Sequence, residues 1–191
     1  GTDPIDLSCI ETVTGYMEIE NSLAPSIDLS GLISVGDEVY IHANDDLETI
    51  DLSSLQTVDS YVYITDNGEL IGIDLSALET VDDTFYVYQN DQMETLDLTL
   101  LDSVSGTLEF NNNDALEEIS LPSMQTLEGT LYVYYQDSAA TLSAPLLETI
   151  EGSLYIYNNN GLEELSLPSL SEVESEVYIE SNDYLETIDL S

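Results

Sequence analysis

The chain has neither lysine nor arginine. Ordinary usage would place about 20 of them in a chain of this length, yet the 191 residues carry 40 aspartates and glutamates and a formal net charge of −40. Nucleic acid and anionic membranes are thereby excluded as direct electrostatic partners, because both are held by cationic side chains that displace counterions from phosphate. Cations, basic proteins, neutral glycans and copies of the same chain are the partners left. Tryptophan is absent too, and Cys9 and His42 are each the sole residue of their type. One thiol cannot close an internal disulfide. No apolar run approaches the ~20 residues of a membrane span, and no charged-then-apolar leader is present. The 42% apolar content is nonetheless enough to fill a core.

What the chain does have is one unit copied end to end. Ile27, Ile50, Ile73, Leu96, Ile119, Leu142, Leu165 and Ile188 recur at a step of 23, and Ile5 extends the series upstream with a step one residue shorter. Within each copy two segments, such as I-D-L-S and V-Y-I, alternate apolar and polar residues and read as short half-buried strands. No helical spacing persists over three turns. A 23-residue unit cannot bury its apolar columns alone, but copies stacked about 4.8 Å apart can. We therefore expect residues 1–191 to form a single all-β domain, a right-handed parallel β-solenoid of about eight 23-residue coils. The inward columns are represented by Leu47, Ile50, Leu52, Leu55, Val58, Val62 and Ile64. The segment I-D-L-S stands at both ends, closing on Ser191, which predicts an open sheet edge at each end.

Two corners join the strands. Gly36, Gly106, Gly129 and Gly152 mark one, where positive φ is expected. Asn44, Asn67, Asn90, Asn113, Asn159 and Asn182 mark the other, with Gln136 substituting once. Asparagine tolerates left-handed backbone, and a buried column of it is expected to bond the coils above and below.

The copies L-E-E-I-S-L-P-S-M-Q-T-L-E-G-T-L-Y-V from Leu116 and L-E-E-L-S-L-P-S-L-S-E-V-E-S-E-V-Y-I-E-S-N from Leu162 resemble the receptor L-domain repeat. That family, related to leucine-rich repeats, occurs in insulin and EGF receptor ectodomains, fungal GPI-anchored cell-wall proteins and bacterial surface proteins. The resemblance implies a right-handed parallel β-helix, an extracellular or cell-surface location and no catalytic activity. Cysteine-rich modules and a capping helix are missing here, so no hormone-binding residues carry over.

Stacking turns periodicity into ladders. Asp28, Asp51, Asp74 and Asp97 stand outward on one face, with Asp6 and Asp189 in the same column and Ser120, Ser143 and Ser166 between. Like charges at that spacing are expected to raise one another's pKa or to recruit cations, with Ca²⁺ the candidate for ordered binding. No EF-hand loop accompanies them, and a diffuse cation cloud is the plainer reading. Forty charges on about eight coils amount to about one per ångström, denser than duplex DNA. A second outward column holds Tyr40, Tyr63, Tyr86, Tyr132, Tyr155 and Tyr178, interrupted by Glu109. Such a row stabilises a sheet by itself, and it is also an amphipathic surface suited to glycan or protein.

Catalysis finds little support. Cys9 and His42 fall in different copies and columns, and paired-carboxylate chemistry needs a cleft and contrasting pKa values, whereas no insertion is available to wall a pocket. Two functions remain. One is a non-enzymatic extracellular structural rod that self-associates, head to tail in filaments, or adheres with cation screening. The other is a recognition module that binds glycan or protein through its tyrosines.

Overall fold

The computed structural model describes residues 3–190, so Ser191 and its predicted strand-edge position lie outside the described residues. All 25 strands are short, and no helix occurs among these residues. Every pairing is parallel and joins residues one repeat apart, as in Ile27↔Ile50, Ile50↔Ile73 and Ile73↔Leu96. The chain is a β-solenoid of about eight turns of about 23 residues. Each coil contributes three strands. In the third coil these are Thr49–Asp51, Thr57–Val58 and Val62–Thr65, which define an aspartate face, a narrow face and a tyrosine face.

The alternation read from the sequence places the core correctly. Leu47, Ile50, Leu52, Leu55, Val58, Val62 and Ile64 are all buried, and their equivalents continue through the stack. Burying one such side chain stabilises the fold by about 1.5–3 kcal/mol. At the far end the columns open, leaving Val177 56% and Ile188 53% exposed.

The asparagine column is a hydrogen-bonded ladder. Asn67 Nδ2 donates to Asn90 Oδ1 at 3.0 Å and to Ile41 O at 3.0 Å, while its backbone N–H donates to the same Asn90 Oδ1 at 3.3 Å. The pattern recurs one coil up and one coil down.

Two expectations about the corners are corrected. None of the predicted glycines has positive φ. They are needed for close approach instead, since a Cβ on Gly129 would lie 2.0 Å from the carbonyl oxygen of Gly106. The left-handed residue of the other corner is not the asparagine but the one before it, with Ala43, Asp66, Gln89, Asn112, Tyr135 and Asn158 among those with φ of 50–57°. That conformation costs about 1–2 kcal/mol for a residue bearing a Cβ, and the ladder bonds made by the next side chain offset it.

The regularity fails in one place. The tyrosine face is a continuous eight-stranded sheet, whereas each of the other two faces is split between the fifth and sixth coils. On the aspartate face Thr95–Asp97 does not pair with Glu118–Ser120. The resulting cleft, about 690 Å³ and lined by Glu94, Asp97, Glu117 and Glu118 among others, arises without the insertion that a pocket was expected to need.

Candidate binding face

The aspartate column is in register, with Asp28↔Asp51, Asp51↔Asp74 and Asp74↔Asp97 paired across the sheet. Its carboxylates, however, are engaged in their own corners. Asp51 Oδ1 accepts from the Ser53 N–H at 3.0 Å and from its hydroxyl at 2.6 Å. Asp28, Asp74 and Asp97 likewise accept the N–H two residues on, from Ser30, Ser76 and Thr99. At Ser8 the hydroxyl first, and then the same N–H bond, hold Asp6 below the ordinary carboxylate range, the reverse of the expected upward shift. Where the receiving position is Pro122, Pro145 or Pro168, no N–H exists to be capped, and the aspartate is replaced by Ser120, Ser143 or Ser166. The column is therefore first a corner-capping device. Like-charge crowding raises a pKa in a different column, at Asp114, through burial first and then Asp137 and Asp91.

The tyrosine column lies on the unbroken sheet, in register from Tyr40 through Tyr63 to Tyr86 and from Tyr132 through Tyr155 to Tyr178. A second outward column beside it carries Tyr88, Tyr134 and Tyr157. Two pairs stack flat, Tyr132 on Tyr155 at 4.9 Å and 5°, and Tyr134 on Tyr157 at 4.8 Å and 9°. Elsewhere the rings tilt, as in Tyr40–Tyr63 and Tyr63–Tyr86. Such contacts contribute about 0.5–1.5 kcal/mol per pair, so the rings are held as a rigid surface and lose little freedom on binding.

Glu109 breaks the column between Tyr86 and Tyr132 and accepts a hydrogen bond from the Tyr134 hydroxyl. Its charge raises the neighbouring phenols. Tyr86 is pushed up to about 12, by burial first and then by Glu109, and Tyr134 is raised by burial and by its bond to Glu109. Around Glu109 the wall of rings is notched by a shallow depression open to solvent.

Another grouping was missed. Glu20 pairs with His42 and Glu18 with Tyr40 across the first two coils, which brings Glu18, Glu20 and His42 ligand atoms within 4.8 Å of one another. His42 Nε2 lies 3.2 Å from Glu18 Oε1, and its ring packs edge-on against Tyr40 at 4.4 Å. The repeat register already contained this neighbourhood, since Glu20 precedes His42 in the same column. Cys9 is exposed.

No curated protein and no solved structure matches this chain. The Receptor L domain family model matches residues 102–190, which is the stretch that contains the Ser-x-Pro corners and all four flat-stacked tyrosines. Over those residues the chain is similar to that family, and the β-solenoid seen here is consistent with the likeness.

Proposed function

We propose that the chain is a non-enzymatic recognition module of the extracellular space or cell surface, which binds a partner along its tyrosine face while mobile cations screen the other faces. The observation that carries this reading is the double column of ordered tyrosines on the one sheet that runs unbroken through all eight coils. A flat, rigid, amphipathic aromatic surface is what extended ligands are held on. The receptor L-domain resemblance supports recognition rather than turnover. The test is a screen of a glycan array and a panel of cationic peptides with the parent chain and a Tyr132→Ala/Tyr155→Ala variant. Binding that disappears in the variant, with circular dichroism and unfolding midpoint kept, is expected. Equal binding by both chains refutes the reading.

A self-associating rod is the second reading, and the net charge of −40 sets its test. Copies of so acidic a chain repel one another, and screening would favour their association. Sedimentation velocity should then show association growing with added Ca²⁺ or salt and with falling pH. A monomer throughout refutes it.

A further inference from the structure

Two departures from the tyrosine columns fall in one coil. Glu109 stands where a ring belongs, and Asn111 stands in the companion column between Tyr88 and Tyr134. Glu109 is shorter than tyrosine, so the continuous face has a notch lined by Tyr63, Thr84, Tyr86, Thr107, Glu109 and Tyr132. The two other faces part beside this same coil.

The polar atoms left over here are acceptors. Glu109 uses Oε1 for the Tyr134 hydroxyl, and its second oxygen has no hydrogen bond among the described residues. Asn111, in the companion column and outside the lining of the notch, is only 6% exposed, and its Oδ1 is buried with no partner among the described residues. A buried acceptor without a donor costs about 1–3 kcal/mol. The chain has no lysine or arginine with which to answer either group.

What suits this notch must donate hydrogen bonds and carry positive charge. An anion is repelled by Glu109 and by the net charge of −40. A neutral sugar could stack on the rings, but it would cover a carboxylate without compensating its charge, which is costly. A primary ammonium brings three N–H donors, neutralises Glu109 and gains cation–π attraction from the flanking rings. The field of the whole chain concentrates cations at its surface. We propose that the notch seats the ammonium group of a lysine side chain from a basic polypeptide laid along the tyrosine face. This rests on the recognition reading above and specifies where on that face the partner is anchored.

The probe is a capped Gly/Ser peptide with one central lysine, titrated into the whole chain at about 0.15 M salt, where diffuse attraction is screened, and followed by residue-resolved NMR. Saturable shifts confined to Tyr86, Glu109, Asn111, Tyr132 and their neighbours are expected. They should vanish with the acetyl-lysine peptide. Glu109→Gln should weaken them about tenfold or more, as loss of a charge-assisted bond does. Glu109→Tyr, which installs the residue the neighbouring coils carry and so suits the fold, should abolish them. Shifts spread over the acidic surface and unchanged in both variants overturn the proposal, as does the absence of shifts. Shifts at the notch with a neutral monosaccharide but not with the lysine peptide overturn it in favour of a glycan. A screen hit lost in Tyr132→Ala/Tyr155→Ala but kept in Glu109→Tyr overturns the notch alone and leaves the tyrosine-face reading standing.

Discussion

Asn90→Ala is the perturbation whose cost the structure prescribes most directly. Asn90 is fully buried. Its Oδ1 accepts the Asn67 N–H at 3.3 Å and Asn67 Nδ2 at 3.0 Å, and its Nδ2 donates to Ile64 O at 2.8 Å and to Asn113 Oδ1 at 3.2 Å. Truncation leaves the Asn67 N–H buried and unpaired, at about 1–3 kcal/mol, and loses three further bonds of about 0.5–1.5 kcal/mol each. The sum is about 2.5–7.5 kcal/mol, a large share of the ~5–15 kcal/mol that holds a domain folded. Urea unfolding followed by circular dichroism measures it. Asp91→Ala, the exposed next residue, is the control and should fall within about 0.5 kcal/mol of the parent. Because each coil touches only its neighbours, the effect should also be local. Hydrogen exchange at the Asn67 amide should accelerate, while the Asn159 amide, bonded to Asn182 Oδ1, should not. Equal midpoints for Asn90→Ala and Asp91→Ala would refute the ladder as a source of stability.

The ladder has a natural defect at Gln136, whose Oε1 is buried without a partner, so Gln136→Asn should stabilise by about 1–3 kcal/mol, seen as a higher urea midpoint at unchanged slope. Ser53→Pro removes the N–H that Asp51 caps and should cost about 1 kcal/mol, whereas Asp51→Ser/Ser53→Pro, which copies the pairing of Ser143 with Pro145, should recover most of the thermal midpoint. Asp114 has its folded pKa raised above 3.8 by burial and by Asp137 and Asp91, so its ionisation opposes folding. Asp114→Asn should therefore stabilise at neutral pH, and the advantage should shrink as pH falls through the raised pKa and vanish below 3.8; a constant difference in melting temperature across that range would contradict the assignment.

Much of this architecture is legible because stacking makes each column answer to one environment. Leu47, Ile50 and Val62 announce the core by alternation, and Asn67 or Asn90 can be assigned to a ladder because a buried amide needs partners. What lies between coils is harder to read. Gly129 looks like a residue needing unusual φ when viewed along the chain, and only the approach of the Gly106 carbonyl reveals why no side chain fits. The left-handed position mixes Asp66, Asn112 and Asn158, which favour it, with Ala43, Gln89 and Tyr135, which give no conformational signal. The capping role of Asp51 was readable from the exchange of Asp-x-Ser for Ser-x-Pro, yet a column read by itself shows only its charge. The parting of the coils after Asp97 leaves no trace in spacing, because the step to Ser120 is still 23.

In a repeat protein any site that must be unique has to be built from exceptions. Each exception near Glu109 has a ready repair in the adjacent coils. Tyrosine at 109 would rejoin Tyr86 to Tyr132, and tyrosine at 111 would fill the row between Tyr88 and Tyr134 while removing the orphaned Asn111 Oδ1. Together these changes should stabilise by about 1–4 kcal/mol, from one relieved acceptor and new cross-strand ring pairs of about 0.2–1 kcal/mol each. A chain that forgoes so accessible a gain keeps the costly residues for what they do. Glu109→Tyr/Asn111→Tyr should accordingly unfold at higher urea than the parent and fail to hold the lysine peptide. A double variant that is both less stable and still binds would show that these two residues are structural accommodations to the parted coils and that Glu109 anchors no ligand.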